Sequence, residues 1–393
     1  MKSLIFRSFI FFALTTAIIP QSGSVGIDDA YSASLGKTYT IMSRGIYALG
    51  HNPANLALSD DKHWELVLPP SIGLRAGTDF LTINEINYFF GGVQDSTGNT
   101  VGRFLNNNDK DRMRNLFKNG GNFIFDFSSL DFGFSIKPND KIGAFGFSVQ
   151  DVFSTKFTFP SGIVDLILTG NPIDKEYTFN DFRFTSWYLR TYTFAYAHDI
   201  SFIFPKVFQS LSIGIAVKSV SGYGYANLEK NTFQFHTYHD SLTAYTDINF
   251  RTAVSPDFGV NYDFDSLGVK KNSKVSIFPQ AAGNGMGFDF GLSAVVNDRL
   301  SVGFAITDIG SIAWKEGTAE HTSNQRVSID DVSDSTKRQT VIDSIKFKGN
   351  FIDGFSTDLP TTIRFGVAYI VIPEILKLST DLNVGLSFSV LNI

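Results

Sequence analysis

The chain has 393 residues, a net charge of −5 and a mean hydropathy of +0.03. Forty Phe, 14 Tyr and 3 Trp place 15% of the residues in aromatic side chains, while charged residues make up only 18%, against about 25% in an average soluble protein. Such a chain is too apolar to be disordered. The absence of Cys excludes disulfides, thiolate zinc sites and iron–sulfur centres. No basic excess points to nucleic acid.

The amino terminus reads as an address. Lys2 and Arg7 precede the apolar run Ser8–Ile19, which stops at Pro20. The run is too short to cross about 30 Å of hydrocarbon as a helix, and it has the form of a cleaved secretory signal ending near residue 24. No later run has the length of a membrane-spanning helix. The mature chain therefore either is soluble outside the cytoplasm or enters a membrane as a barrel.

Residues 34–46 have helical potential that Gly50-His-Asn-Pro53 breaks. After them the dominant signal is period-2 alternation. Phe145, Phe147 and Val149 alternate with Gly146 and Ser148; Ile213, Ile215 and Val217 with Ser212, Gly214, Ala216 and Lys218; Leu300, Val302, Phe304 and Ile306 with Ser301, Gly303 and Ala305; Ile363, Phe365 and Val367 with Arg364, Gly366 and Ala368. Successive strand side chains point to opposite faces. One face is thus bulky and apolar, the other small or polar. A soluble sandwich would carry Lys, Glu and Arg outward. Bulky residues facing lipid and small residues facing a crowded interior fit a closed transmembrane antiparallel β-barrel, the one sheet form whose backbone groups are all satisfied in hydrocarbon.

Roughly eleven alternating runs are expected, near 64–78, 122–136, 141–155, 184–198, 209–226, 232–252, 285–296, 299–314, within 319–347, 361–372 and 375–389. Lys137-Pro-Asn-Asp-Lys141 and Val296-Asn-Asp-Arg299 read as tight hairpin turns on one rim. Helices are expected over 106–118 and 161–170, among long connections on the other rim. The odd count, and an end at Leu391-Asn392-Ile393 without a terminal aromatic, leave open a barrel that is incomplete at its C-terminus.

Ser43-Arg-Gly-Ile-Tyr-Ala-Leu-Gly-His-Asn-Pro-Ala-Asn-Leu-Ala57 resembles the amino-terminal motif of FadL-like outer-membrane barrels. Leu68-Pro-Pro-Ser-Ile-Gly-Leu74, Phe159-Pro-Ser-Gly-Ile-Val-Asp-Leu-Ile-Leu-Thr-Gly-Asn171, Asn284-Gly-Met-Gly-Phe-Asp-Phe-Gly291, Asp308-Ile-Gly-Ser-Ile-Ala-Trp314 and Leu359-Pro-Thr-Thr-Ile-Arg-Phe-Gly366 are similar to a Bacteroidota-type outer-membrane barrel family of unknown function. The resemblance implies about fourteen strands around a short N-terminal plug with Asn52, Pro53 and Ala54 as the plug motif. It divides the chain into a signal (1–24), a plug segment (25–62) and a barrel (63–393).

No catalytic constellation stands out. Gly36-Lys37-Thr38 lacks the rest of a phosphate loop, and Gly283-Asn-Gly-Met-Gly287 opens a strand rather than a helix. His236 and His239 fall on opposite faces if extended, and Asp263 with Asp265 offers too few oxygens for Ca2+. No metal, cofactor or enzymatic activity is expected. Lys218 and Arg364, charged residues on the small-residue face, are the candidate lumen residues. The expected role is passage or binding of a small hydrophobic molecule by a protein in the bacterial outer membrane, in contact with its lipid. The alternative is a non-transporting barrel that docks or carries secreted or surface proteins. Nucleic acid is not an expected partner.

Overall fold

The computed structural model describes residues 30–35, 38–58, 63–68, 70–260, 262, 276, 278–331, 333–345, 347–372 and 376–385. The expected signal sequence, Gly36, Lys37, Asp263, Asp265 and the last eight residues lie outside them.

The fold is all-β and antiparallel. Long strands are β5 (Gly121–Asn139), β6 (Gly143–Phe159), β8 (Arg183–Asp199), β9 (Ser210–Thr237), β10 (Leu242–Val254), β11 (Gly283–Val295), β12 (Leu300–Trp314), β13 (Thr318–Ile329), β16 (Thr362–Ile372) and β17 (Leu376–Gly385). Shorter ones are β1 (Trp64–Val67), β2 (Ser71–Thr78), β7 (Glu176–Thr178), β14 (Lys348–Phe351) and β15 (Phe355–Asp358); β3 (Val93–Gln94) and β4 (Thr100–Val101) form a separate hairpin.

The main sheet runs β1/β2-β5-β6-β8-β9-β11-β12-β16-β17. β1 and β2 are one run interrupted around Pro70: both pair with β5, at Gly133–Ile136 and Phe123–Leu130 respectively. Above residue 222 the sheet divides. β11 pairs with Ser210–Gly222 of β9, whereas β10 pairs with Gly224–Thr237 and in turn with β13. β10 thus continues the position of β11, and β13 that of β12. The breaks lie side by side: Ser255 and Ala282 both donate to β9, through Tyr223 O and Gly222 O, and Lys315 donates to Ala282 O.

Both predicted tight turns join neighbouring strands, β5 to β6 and β11 to β12, at one rim. Helices over Ile83–Phe90, Asn107–Leu116 and Ser161–Thr169 cluster at the opposite rim, as the sequence leads one to expect for the latter two.

Two expectations are corrected. The runs at 209–226 and 232–252 meet not near residue 229 but at 238–241, because β9 continues unbroken through Glu229-Lys230-Asn231. Residues 34–46 do not form one helix: a helix spans Ala30–Ser34, and 3-10 turns follow at Gly45–Ala48 and Pro53–Leu56. Among the described residues the main sheet holds fifteen strands, nine of them on its through-path, and no pairing joins β17 to β1 or β2 to close it. Those edges run in the same direction, so they could not meet as an antiparallel pair.

Candidate functional site

Residues 38–58 form the centre of the molecule. They touch each of the nine strand positions. Ile46 N donates to Glu65 on β1 (3.0 Å), and a Cβ at Gly133 of β5 would lie 2.8 Å from Ile46. Leu49 and Leu56 fill the space over Gly146 of β6, and Ala195 and Ala197 of β8 join the same buried cluster. Ser212 on β9 donates to Ala54 O (3.0 Å). Asn52 donates to Ser293 Oγ on β11 (2.8 Å). Gly303 of β12 and Gly366 of β16 back onto Thr40 and Ile41, and Thr40 N donates to Asp381 on β17 (2.6 Å). A sheet that meets one short segment along its whole width must curl around it.

The plug motif sits where the contacts are tightest. Asn52 caps the Pro53–Leu56 turn by accepting from Ala54 N (3.1 Å), and Pro53 costs no hydrogen bond at the first helical position. The Asn52 amide also reaches Thr40 O and Leu292 O, both at 3.2 Å. Asn55 donates to Thr40 O (2.9 Å) and Ser43 Oγ (2.7 Å) and accepts from Ser293. A Cβ on Gly214 would fall 2.4 Å from the Pro53–Ala54 peptide, and one on Gly291 2.1 Å from Asn52 Oδ1. Glycine at these two positions is a requirement of close approach.

Lys218 and Arg364 both lie on the plug-facing side and are buried, at 2% and 3% exposure. Lys218 Nζ stands 2.9 Å from Asp289 Oδ2 on β11 and 2.5 Å from Asp308 Oδ1 on β12. Asp308 N donates to Asp289 Oδ1 (2.8 Å). Asp308 occupies a bulge with φ 61°, a left-handed conformation that Asp tolerates better than most residues. Thr361 donates to its carbonyl (2.9 Å), tying in the segment before β16. Arg364 is one strand further along, pairing in register with Ala305. The structure thus does not bring Lys218 and Arg364 together; each belongs to its own group of neighbours. Above the Lys218 group, Trp314, Leu359, Val220 and Ile312 form a second apolar cluster.

Sequence reasoning missed Asp289, Asp308 and Asp381. Asp289 and Asp381 were visible as acids on a small-residue face, with Asp289 breaking Phe288-Asp-Phe290, whereas Asp308 continues the bulky face of Leu300–Ile306 and is turned inward only by the bulge. What periodicity lacked was the register that sets two of them against Lys218. A second missed pair lies on the opposite face of the wall: Arg190 grips Asp151 through Nε (2.8 Å) and Nη2 (2.7 Å), beside Tyr188 and Tyr223.

Among the described residues no group of His, Asp or Glu has the arrangement of a metal site. His236 stacks on Tyr238 near the end of β9, and His239 lies beyond that strand. A lysine closed between two carboxylates has no room for a reacting substrate. Its chemistry is cross-linking: three neighbouring strands are held at one level immediately beyond the plug.

Residues 53–392 match a family of unknown function, DUF5723. The chain belongs to that family. No curated protein and no solved structure matches it. The DUF5723 match begins at Pro53, inside the plug motif, and runs through the whole sheet.

Proposed function

We propose that this DUF5723 protein is an outer-membrane β-barrel protein that passes or binds small hydrophobic molecules without covalent chemistry, with residues 38–58 as its plug and its like-directed edge strands closing the wall by parallel rather than antiparallel pairing. The observation that carries the membrane reading is the outer face of the sheet. Leu66, Phe147, Phe194, Ile213, Ile215, Phe288, Phe290, Phe304, Phe365 and Leu382 all stand exposed there, while the alternate residues pack inward on the plug. On β11 the outward-facing residues are apolar from Met286 to Leu292, and Asn284 follows at the next outward position. With the end of the strand this makes about ten residues, the length that crosses a bilayer when tilted by about 45°. The Arg190–Asp151 pair lies at the level of Asn284, through the register Arg190↔Ser221↔Asn284, and so marks the upper margin of the belt.

The passage reading draws on the side-by-side breaks between β10 and β11 and between β12 and β13, where the wall loses its continuous ladder. Uptake of a hydrophobic fluorescent probe into vesicles containing the purified protein tests it: uptake above protein-free vesicles supports passage. The docking and carrier reading has its own support in the buried Asn52–Ser293–Asn55 network, which opposes displacement of the plug. Absence of uptake, with a secreted protein co-purifying stoichiometrically, would replace the first reading with the second.

A further inference from the structure

The rim of the tight turns carries one apolar excursion. Two of its turns are polar: Pro138-Asn-Asp-Lys141 joins β5 to β6, and Asn297-Asp-Arg299 joins β11 to β12. Between β8 and β9 the chain instead runs Ile200-Ser-Phe-Ile-Phe-Pro-Lys-Val-Phe-Gln209, with Lys206 as its one charge. The segment is folded into consecutive turns. Ile203 N donates to Ile200 O, Phe204 N to Ser201 O and Val207 N to Phe204 O, all at 3.0 Å, and the ring of Phe208 meets that of Phe204 edge-on (6.4 Å). These turns leave Phe202 exposed by 73% and Val207 by 57%, with Ile203 and Phe204 half exposed.

The loop belongs to the outer side of the wall. Ser212 and Ser293 point at the plug, so Leu211 and Ala294, paired in register, point outward. Both are nevertheless buried, at 6% and 4%, while the next outward pair up the strands, Ile213 and Leu292, stands open. The loop is tied down at that point and supplies the cover: Leu211 N donates to Ser201 Oγ (2.7 Å), Ile200 N to Leu211 O (2.6 Å) and Gln209 Nε2 to Asp298 (2.6 Å). Its apolar surface thus adjoins the foot of the exposed belt. Strand length fixes the level. Ser221 pairs with Arg190 at the upper margin, and Leu211 lies ten residues further down β9. Ten residues span about 33 Å of strand, or about 23 Å of height at a tilt of about 45°, against a lipid-facing band about 25 Å tall. The loop therefore sits at the lower edge of the band, where acyl chains give way to headgroups.

Resting on the membrane reading above, we infer that the loop between β8 and β9 is an interfacial lipid anchor: Phe202, Ile203, Phe204 and Val207 enter the acyl chains of the leaflet at the tight-turn rim, and Lys206 extends to its phosphates. Three observations select lipid over a protein partner. The loop lies at the level where the band ends. Its apolar surface continues from Ile213 and Leu292 on the same side of the wall. Its one charge is a lysine with no acid between Ile200 and Gln209, and a lysine stem can lie along apolar surface while its ammonium reaches the headgroups. The anchor holds the β8–β9 side of the rim at a fixed depth.

The chain has no Cys, so single cysteines can carry a nitroxide. Phe202→Cys, Phe204→Cys and Val207→Cys in the loop, Ile215→Cys in the belt and Lys141→Cys in the β5–β6 turn are each labelled in the full chain and placed in vesicles of phosphatidylcholine and phosphatidylglycerol. Collision with molecular oxygen, which concentrates in lipid, is compared with collision with a water-soluble nickel chelate. The three loop positions are expected to share the dominance of oxygen collisions found at Ile215, and Lys141 to show the reverse. Loop positions open to nickel while Ile215 stays in lipid would overturn the anchor and leave the membrane reading standing. Loop positions closed to both reagents would also overturn it, in favour of a protein partner. Ile215 open to nickel would overturn the membrane reading and the anchor with it.

Discussion

At the residue scale, two opposed features share the inner face of the wall. Gly214 and Gly291 exist so that backbone can meet the plug, whereas Lys218, Asp289 and Asp308 bring charge into the same interior. A buried ion group is weak support for stability as a whole but strong when one member is removed, because the remaining charges lose their partner. Lys218→Met is expected to lower unfolding stability by about 3–5 kcal/mol. Adding Asp289→Asn and Asp308→Asn to Lys218→Met is expected to restore most of it, Asn being able to keep the left-handed conformation at position 308. Urea unfolding in detergent measures both. A single variant that unfolds at the parent midpoint would show that the three charges are not coupled.

The strands and helices show where pattern succeeds and where it stops. Alternation located β5, β6, β8, β11, β12 and β16 because one face meets the plug and the other does not. It lost β9 beyond residue 226, where the ribbon of β9, β10 and β13 carries polar residues on both faces; there Lys230 pairs with Asp247 across the ladder instead of marking a turn. The helix Ser161–Thr169 depends on charge. Burial raises the pKa of Asp165, but hydrogen bonds from Lys175, Thr169 and Arg114 outweigh it and hold the carboxyl below its ordinary value. The hydrogen bond to Asp165 in turn raises Lys175. A lowered carboxyl contributes stability above its unfolded pKa and loses it as pH falls through the folded value. A raised amine contributes below its unfolded pKa and loses it as pH rises through the folded value. Docking of this helix should therefore hold between roughly pH 4 and pH 10 and weaken on either side. Amide exchange in Ser161–Thr169, corrected for intrinsic rates, checks this; protection that persists unchanged at about pH 2, well below the ordinary Asp value, would remove Asp165 from the account.

For the whole molecule the decisive question is what the exposed belt touches. The chain has three tryptophans. Trp64 stands exposed on the outer face of β1, and Trp314 is buried inside, its Nε1 donating to Thr357 (2.8 Å). In vesicles of brominated lipid, a chain retaining only Trp64 should lose most of its fluorescence, while one retaining only Trp314 should lose little. Equal quenching of the two would contradict the assignment of faces. Unquenched Trp64 in a chain whose gel mobility is also unaffected by boiling would contradict insertion.

The sequence alone determined the two-faced strands, the tight turns at one rim and the placement of Asn52, Pro53, Ala54, Lys218 and Arg364 as residues to watch. These are local properties, set by side-chain periodicity and turn chemistry within a few residues. Only the tertiary structure decided that the segment around Asn52 meets every strand position, that Lys218 has Asp289 and Asp308 as partners and that the sheet divides above Gly222. Each depends on register between segments tens to hundreds of residues apart, and a shift of one residue would turn every one of those side chains to the other face.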